Sequence, residues 1–382
     1  MLGFDIPGVA AARSISPGPA PFSVPGLPRW SAAVRAMQAG QRNARILCLG
    51  DSTTSGSGAY GAGMGYGNKA GSWPSQLAGL LSGRGLRASR RSFLGNQNAP
   101  DVRAYDTRIS FPAETGWSVS AGVSSATVGG YFIGTQGNST LSFDPGGVVD
   151  TFEVFYALTG VVSALSLAVD GGPMLETVST SRGTGVNRIA RTVLSVPRGA
   201  HVLNVYRPAD ATVVAYLAGV VASDSRHREI SVLNGGWSGS SSGDLANTAV
   251  PWTTPFAIAD HRPDLVILCI GINDFNNGSP TGETTFKANV QSLISASVTA
   301  GADVLLAIPN AISGAYASNH AAFAGYITDL ATANGLNPPI DFRTALGATQ
   351  AEADVAGYMR DTAHANATGY GRMADLVRRA IS

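Results

Sequence analysis

Cysteine, net charge and long apolar runs are scarce in this chain of 382 residues, and each absence excludes a class of protein. The two cysteines, Cys48 and Cys269, provide neither a disulfide framework nor a metal-ligand spacing, so we predict two free buried thiols. A formal net charge of +1 gives no reason to expect nucleic acid as a partner. No run of about 18 apolar residues indicates a transmembrane segment. Residues 1–7 lack the basic and apolar regions of a standard secretory signal, which leaves the cellular location open.

What the chain does contain is enough apolar sequence for a large core, with 44% hydrophobic and 13% charged residues. This composition excludes disorder for most of the chain. The length allows two domains, or one domain with a large insertion. Residues 1–28 carry repeated proline and glycine without a clear period, and we predict that they form an extended N-terminal arm.

Helical and strand-like segments alternate in residues 29–94 and 229–382. Short apolar runs predict strands at 45–50, 229–233, 265–270, 304–308 and 339–342, and helical patterns lie between them. This alternation predicts an α/β fold with a doubly wound parallel sheet.

Residues 95–228 have a different character. Short runs of alternating apolar and polar residues, such as 151–156, recur between Gly, Pro and Asp turns, which predicts an inserted all-β sandwich or jelly-roll-like domain. Residues 195–205 resemble a strand-turn-strand common in carbohydrate-binding jelly rolls. Two roles for the insertion stay open, namely binding a polysaccharide and mediating assembly or stability.

The turn at Ser52 is the feature around which the rest of the chain is organised. The apolar run 46–49 predicts a buried strand, and Gly50-Asp51-Ser52 ends it. A strand that ends in such a turn places a side chain at the carboxyl edge of the sheet, where open α/β folds bind their ligands. Ser52 is therefore a candidate nucleophile. The alternative is that Ser52 merely caps the next helix.

A glycine-rich stretch follows, and residues 56–61 match the pattern G-x-G-x-x-G. A dinucleotide-binding turn would begin where the strand ends and would have an acidic residue about 20 positions later. Here the pattern begins six residues after Gly50, and residues 77–95 contain no acidic residue. We therefore predict a flexible loop beside the site.

Polar groups suited to acyl transfer recur at corresponding places in the fold. Three predicted strands end in Gly50-Asp51-Ser52, Gly236-Trp237-Ser238-Gly239 and Gly271-Ile272-Asn273-Asp274, and Asp361-Thr362-Ala363-His364 precedes the last helix. A serine needs a base to remove its proton, and a carboxylate can orient a histidine that acts as this base. Backbone N–H groups and an asparagine amide can bind an oxyanion. Taken singly, each group could be a turn, loop or surface residue.

These four segments together resemble the sequence blocks of the SGNH (GDSL-type) hydrolase family. Asn234-x-Gly236-x-x-Gly239 is similar to the second block, and the first reads Gly-Asp-Ser-Thr where the family name reads Gly-Asp-Ser-Leu. The resemblance implies Ser52 as nucleophile, His364 as base and Asp361 as its partner. It also implies an oxyanion hole formed by the N–H groups of Ser52 and Gly239 and the amide of Asn273. The fold that it implies is a flavodoxin-like sheet with strand order 2-1-3-4-5, in which the two cysteines could be neighbours.

The leading hypothesis is a serine esterase that deacetylates an O-acetylated carbohydrate without a metal or cofactor. A hydrolase of short-chain lipids or simple esters is the first alternative. The second is a catalytically silent glycan-binding or structural module. The expected partner is a small-molecule or polysaccharide ester. A homo-oligomer, and a surface assembly on a cell or a phage, stay open.

Overall fold

The computed structural model describes residues 21–112, 117–118, 126–135, 140–208, 213–276 and 278–382. Residues 1–20, most of the predicted N-terminal arm, lie outside the described residues. The strands of the described part are β1 Ala44–Gly50, β2 Ala88–Ser89, β3 Ser92–Leu94, β4 Ile109–Ser110, β5 Trp117–Ser118, β6 Ile133–Thr135, β7 Thr140–Phe143, β8 Val148–Leu158, β9 Ala164–Val169, β10 Glu176–Ser179, β11 Arg188–Ala200, β12 Leu203–Tyr206, β13 Ala215–Ser223, β14 Ile230–Gly236, β15 Leu265–Cys269, β16 Asp303–Ile308 and β17 Ile340–Asp341.

Helices cover both faces of one of the sheets. They are α1 Pro28–Gln38, α2 Ser52–Ser55, α3 Asn68–Gly71, α4 Trp73–Ser82, α5 Val102–Tyr105, α6 Ser242–Leu245, α7 Thr254–Ala257, α8 Ile272–Phe275, α9 Glu283–Thr299, α10 His320–Ala333, α11 Arg343–Leu346, α12 Gln350–Val355 and α13 Ala367–Ile381, with 3₁₀ turns at Ala259–His261 and Ala317–Asn319. Among the described residues, no helix combines the length and the apolar character that a bilayer span needs.

The predicted doubly wound sheet is confirmed. Its order is β17-β16-β15-β1-β14-β2, and all pairs are parallel. The five predicted strands take the order 2-1-3-4-5 that the resemblance implied, and the short β2 adds an edge strand beside β14. Because β1 lies between β14 and β15, the ends of the three strands that carry the predicted site residues are adjacent.

Both sides of β1 are buried, since successive side chains of a strand point to opposite faces. Ile46 and Cys48 pack in the hydrophobic cluster beneath α1, α4 and α13. Leu47 and Leu49 pack in the cluster beneath α9 and α10. Because neither face of this strand meets solvent, apolar residues do not alternate with polar ones, and the run 46–49 is uninterrupted. Cys48 and Cys269 are buried free thiols, as predicted.

The last helix, α13, shows how the local sequence sets an element and its packing. Asn366 caps it by accepting a hydrogen bond from the Gly369 N–H at 3.0 Å. Its apolar residues recur at helical spacing, so that one side of the helix is buried against the sheet. The carbonyl of Ile381, in its last turn, accepts a hydrogen bond from the Trp30 indole at 2.8 Å. The helix therefore holds α1 on the same face of the sheet.

Between β2 and β14 the chain forms two antiparallel sheets. Their orders are β10-β9-β12-β7-β4 and β11-β8-β13-β6-β5, and β3 also pairs with β13. Side chains from both sheets meet in one hydrophobic cluster, in which the rings of Phe93 and Phe143 lie 4.9 Å apart at their centroids. The strands predicted from alternating runs correspond to β7, β8, β9, β11, β12 and β13.

A partly buried ion-pair cluster joins β8 and β11 to the parallel sheet. Arg45 of β1 binds one carboxylate oxygen of Glu153 at 2.5 Å, and Arg191 binds the other at 2.5 Å. Arg45 also donates to the carbonyl of His261 at 2.7 Å. Burial disfavours the charged form of Glu153, but the two guanidinium groups outweigh it and hold the pKa of this carboxyl below its ordinary value.

Replacing Glu153 by alanine is expected to lower the free energy of unfolding by about 3–5 kcal/mol, because it leaves the buried Arg45 without its counter-charge. Urea denaturation followed by circular dichroism measures this change. Glu176→Ala is the matched control. The Glu176 carboxylate accepts a hydrogen bond from the Thr192 hydroxyl, but it has no ion pair among the described residues. A loss for Glu153→Ala no larger than for Glu176→Ala would show that the cluster does not hold the two parts together.

Candidate active site

The turn after β1 presents Ser52 at the carboxyl edge of the sheet. Asp51, rather than Ser52, is the N-cap of α2, and its carboxylate accepts a hydrogen bond from the Thr53 N–H at 2.9 Å. The hydroxyl of Ser52 is therefore not used as a cap. A Cβ at Gly50 would lie 2.1 Å from the carbonyl oxygen of Cys269, so only glycine lets this turn pack against β15.

The structure brings Ser52, His364 and Asp361 into one chain of hydrogen bonds. His364 Nε2 lies 2.9 Å from Ser52 Oγ, although 312 residues separate the two in sequence. His364 Nδ1 lies 2.9 Å from Asp361 Oδ2 and 3.1 Å from Oδ1. The imidazole thus bridges the hydroxyl and the carboxylate through its two different nitrogens.

Local hydrogen bonds keep Asp361 ionised. Burial alone would raise its pKa, but the His364 side chain and the backbone N–H groups of Ala363 and His364 outweigh this and hold the pKa well below the ordinary range. The two N–H groups donate to Oδ1 at 2.8 and 2.7 Å. A charged acceptor at Nδ1 favours the tautomer with the proton on Nδ1, which leaves the Nε2 lone pair facing Ser52.

The segment that carries Asp361 and His364 is held by the loop after β16. Asn310 donates a side-chain hydrogen bond to the Ala363 carbonyl at 2.9 Å. Ser313 donates its N–H to the Thr362 carbonyl at 2.9 Å. Asn310 is a supporting residue that the sequence analysis missed, although its place directly after a predicted strand end was a usable signal.

The predicted oxyanion donors lie on three segments that follow the neighbouring strands β1, β14 and β15. Within the described part of the chain, neither the Ser52 N–H nor the Gly239 N–H has a hydrogen-bond acceptor. Gly239 has φ = +80°, a conformation that favours glycine. Asn273 donates its amide to the Ser240 carbonyl at 2.8 Å, which places this amide beside Gly239.

Two buried polar side chains lock these loops together. The carboxylate of Asp274 accepts the N–H of Ser242 at 2.8 Å and its hydroxyl at 2.6 Å. The side-chain oxygen of Asn234 accepts the Gly236 N–H at 3.0 Å, and its amide donates to the Ser55 carbonyl at 3.3 Å. The third and second sequence blocks are therefore tied to each other, and the second is tied to the turn that carries Ser52.

Residues just after β3 also reach this site, which the sequence analysis did not anticipate. Gln97 donates to the Asn234 carbonyl at 2.7 Å, and its own carbonyl accepts the Ser238 N–H at 3.3 Å. Asn98 donates its side-chain amide to the Ser238 carbonyl at 3.2 Å. Gln97 and Asn98 have φ values of +54° and +63°, an unusual conformation that asparagine tolerates better than most residues. The Asn-Gln-Asn run was the available signal.

Asp51 is a buried carboxylate next to Ser52, and only one of its two oxygens has a hydrogen-bond partner among the described residues. Its Oδ1 is bound by Thr53, while its Oδ2 has no hydrogen-bond partner among the described residues. Burial raises the pKa of Asp51 to about 6, against the opposing effect of the Thr53 bonds. An acid with a raised pKa in the folded state binds more protons there than when unfolded, so its contribution to stability falls as the pH rises.

We therefore expect the free energy of unfolding to fall by up to about 3 kcal/mol as the pH rises from 4 to 7, because Asp51 loses its proton in this range. Asp51→Asn keeps a capping side chain without the charge and should flatten this part of the profile. Urea denaturation of both proteins across the range measures the difference. The exposed Asp354→Asn is the control and should follow the wild type. Parallel profiles for wild type and Asp51→Asn would contradict the expectation.

The part of the chain described here contains no group of three or more His, Cys, Asp or Glu side chains arranged to hold a metal ion.

Comparisons with known proteins identify a family and a shared fold. The sequence profile of the GDSL-like Lipase/Acylhydrolase family matches residues 179–372, just over half of the chain. This span contains Gly239, Asn273, Asp361 and His364, and Ser52 lies before it. No curated protein matches the chain in sequence.

Solved structures show the same relationship at the level of fold. A peptidoglycan O-acetylesterase is 17% identical and covers 92% of this chain and 94% of its own, with a TM-score of 0.64. The acetyl xylan esterase AlAXEase is 23% identical and covers 40% of this chain and 82% of its own, with a TM-score of 0.34. A family two carbohydrate esterase from Clostridium thermocellum, in complex with cellohexaose, is 14% identical and covers 64% and 91%, with a TM-score of 0.30. The first likeness shows a shared fold over nearly the whole chain, whereas the other two are too low to carry an argument.

Proposed function

The chain belongs to the GDSL-like Lipase/Acylhydrolase family and is a carboxylic ester hydrolase, and we propose that it removes acetyl groups from an O-acetylated carbohydrate through an acyl-enzyme on Ser52. The observation that carries this proposal is the unbroken chain of hydrogen bonds from Ser52 through His364 to Asp361, with both links at 2.9 Å.

In the first half of the reaction, Ser52 Oγ attacks the acetyl carbonyl while His364 Nε2 takes its proton. The carbonyl oxygen becomes an oxyanion, which the N–H groups of Ser52 and Gly239 and the amide of Asn273 stabilise. His364 then gives the proton to the departing sugar oxygen, and the acetyl group stays on Ser52. Asp361 holds the imidazole in place and stabilises its positive charge.

In the second half, a water molecule takes the place of the sugar. His364 Nε2 removes a proton from this water as its oxygen attacks the acetyl carbon, and the same donors bind the second oxyanion. Collapse of this intermediate breaks the bond to Ser52 Oγ, which regains its proton from His364, and acetate leaves. Each proton that His364 accepts is returned, so the cycle needs no other acid or base.

Two features support a carbohydrate as the alcohol. One structure that is similar to this chain over nearly its whole length is that of a peptidoglycan O-acetylesterase. The two antiparallel sheets share one core, and we propose that they form an inserted β-sandwich, residues 95–228, beside the ester site. Because Gln97 and Asn98 join this segment to the Ser238 loop, the sandwich can present a polymer directly to Ser52.

Acetate release from a panel of O-acetylated polysaccharides tests the proposal, with p-nitrophenyl acetate as the small-ester reference. We expect release from at least one polymer that is lost in Ser52→Ala. Hydrolysis of the small ester alone would support the ester hydrolase activity and contradict a carbohydrate substrate. No hydrolysis and no labelling by a fluorophosphonate probe, in a folded preparation, would leave a silent binding or structural module. Excision of residues 95–228 is not a clean test, since it would also remove Gln97 and Asn98.

A further inference from the structure

A second cavity, which the proposed chemistry does not use, lies where the parallel sheet meets the β-rich segment. Its volume is about 390 Å³. It is lined by α4, by β2 and by the turn at 145–146, together with Arg90, Arg91 and Arg108. A smaller cavity of about 40 Å³ shares Arg90 and Arg108 and is also lined by Tyr105. We call the two together the Arg90 groove.

Two of the three arginines are already neutralised by carboxylates. Arg91 binds Glu229 at 3.0 Å and the Gly146 carbonyl at 3.1 Å. Arg108 makes a two-point contact with Asp106, at 2.9 Å and 2.8 Å. These guanidinium groups are held in place by the protein and form a fixed wall of the groove.

Arg90 is different, because its guanidinium has no acceptor among the described residues. The buried Lys69 adds another positive charge, 3.2 Å from Asp106. Arg90 is therefore the arginine lining these cavities that has no carboxylate partner among the described residues. Burial is the main cause that lowers the pKa of Arg90, and the charge of Arg108 adds to it, against the opposing effect of Asp106.

The groove is connected to the ester site through the glycine-rich loop. A Cβ placed on Gly58 would lie 3.0 Å from the Cβ of His364, so this loop passes directly over the base. Two residues later, Tyr60 is 63% exposed, and its ring lies against Gly71, next to Ala70, which lines the smaller cavity together with Arg90. On the inner side, the Tyr105 hydroxyl donates to the Ser55 carbonyl at 2.5 Å, in the helix that begins with Ser52. The glycine-rich loop and Tyr105 therefore link the groove to the segments on either side of Ser52.

We propose that the Arg90 groove is a subsite for an anionic group of the substrate, so that the preferred substrate is an acidic O-acetylated glycan. This inference rests on the proposed function. A guanidinium group matches a carboxylate or a phosphate in geometry and charge, and an exposed tyrosine ring provides an apolar face for a sugar ring. The neutral sugar that carries the ester and the anionic group would then occupy separate sites along one chain.

Binding of O-acetylated oligogalacturonate to the Ser52→Ala protein tests the subsite without any hydrolysis. The matched neutral probe is the same oligomer with its carboxylates methyl-esterified. A hydrogen bond to a charged group contributes about 1.5–3 kcal/mol, so we expect the acidic form to bind about 10- to 100-fold more tightly at low salt. Adding Arg90→Gln should bring this ratio close to one. Arg84→Gln, an exposed arginine on the same connection, should leave it unchanged.

Equal binding of the two oligomers would overturn the proposal. So would a preference that survives Arg90→Gln or that Arg84→Gln removes equally. Competition by inorganic phosphate at concentrations where acetate has no effect would support the anion subsite and assign it to a phosphate-bearing glycan. Because binding is measured without turnover, a preference without any esterase activity in the wild type would reject the proposed function alone. Activity that depends on Ser52 without a preference would reject the subsite alone.

Discussion

Ser52→Ala is expected to lower kcat for p-nitrophenyl acetate by about 10⁵- to 10⁶-fold, the loss typical of a nucleophile that acts together with a base. The hydroxyl lies 2.9 Å from His364 Nε2 and is not needed to cap α2, so its removal should affect the reaction far more than the fold. Initial rates, together with fluorophosphonate labelling and intact-protein mass, measure the loss.

Ser57→Ala is the matched control, since this buried serine is in the same turn and contacts Met64 instead of His364. It should label and hydrolyse like the wild type. His364→Ala should lose about as much activity as Ser52→Ala, and the double variant should lose little more, because the two groups act as one unit. Additive losses, or labelling of Ser52→Ala, would mean that another residue is the nucleophile.

Asp361→Asn is expected to lower kcat by about 10⁴-fold while leaving the fold intact. The asparagine oxygen can still accept the N–H groups of Ala363 and His364 that now bind Oδ1. Its NH₂ group would, however, donate a hydrogen bond to His364 Nδ1. This favours the tautomer with the proton on Nε2, which cannot accept the proton of Ser52. Steady-state kinetics with the acetyl ester and a thermal melt separate the two effects.

Asp354→Asn serves as the control for this change, because Asp354 is an exposed carboxylate near the same segment. A loss below about tenfold in Asp361→Asn would show that Asp361 does not orient the base. The depressed pKa of Asp361 adds a second check on the wild type. Its stabilising contribution should persist as the pH falls to about 4 and be lost only below that, opposite in direction to the effect of Asp51.

The sequence alone was sufficient where a local pattern determines the outcome. The apolar run that ends at Gly50 predicted β1, and similar runs predicted its neighbours, because strands buried on both faces need uninterrupted apolar residues. The polar ends of those strands predicted which side chains would meet, since parallel strands end at one edge of a sheet. This argument singled out Ser52, whereas the roles expected of Asp361 and His364, which precede the last helix, came from the resemblance of the four segments to the SGNH hydrolase blocks.

The remainder depended on contacts that no local pattern encodes. Asp51 and Ser52 are both good capping residues, and only the packing of the turn against β15 selects Asp51. Gln97 contacts Asn234, which is 137 residues away in sequence, from a backbone conformation that is rare outside glycine. The Arg90 groove likewise exists only because β2 lies beside the turn at 145–146. Such features follow from the assembled fold.

The pairing of β3 with β13 bears on the order in which this chain acquires its structure. The central strand β1 pairs on one side with β14, which begins 180 residues after β1 ends, so the first two strands to be synthesised cannot complete the parallel sheet alone. The register of Leu94 opposite Gly219 brings the two ends of the intervening segment together. Once these sheets have formed, the chain that remains to be closed between β1 and β14 is short, and loop closure costs only about 0.6 kcal/mol for each doubling of length. We therefore expect the antiparallel sheets to assemble first and to bring β1 and β14 together. The ester site would be completed last, when α13 packs on the sheet and places His364 beside Ser52, which is more than 300 residues earlier in the chain.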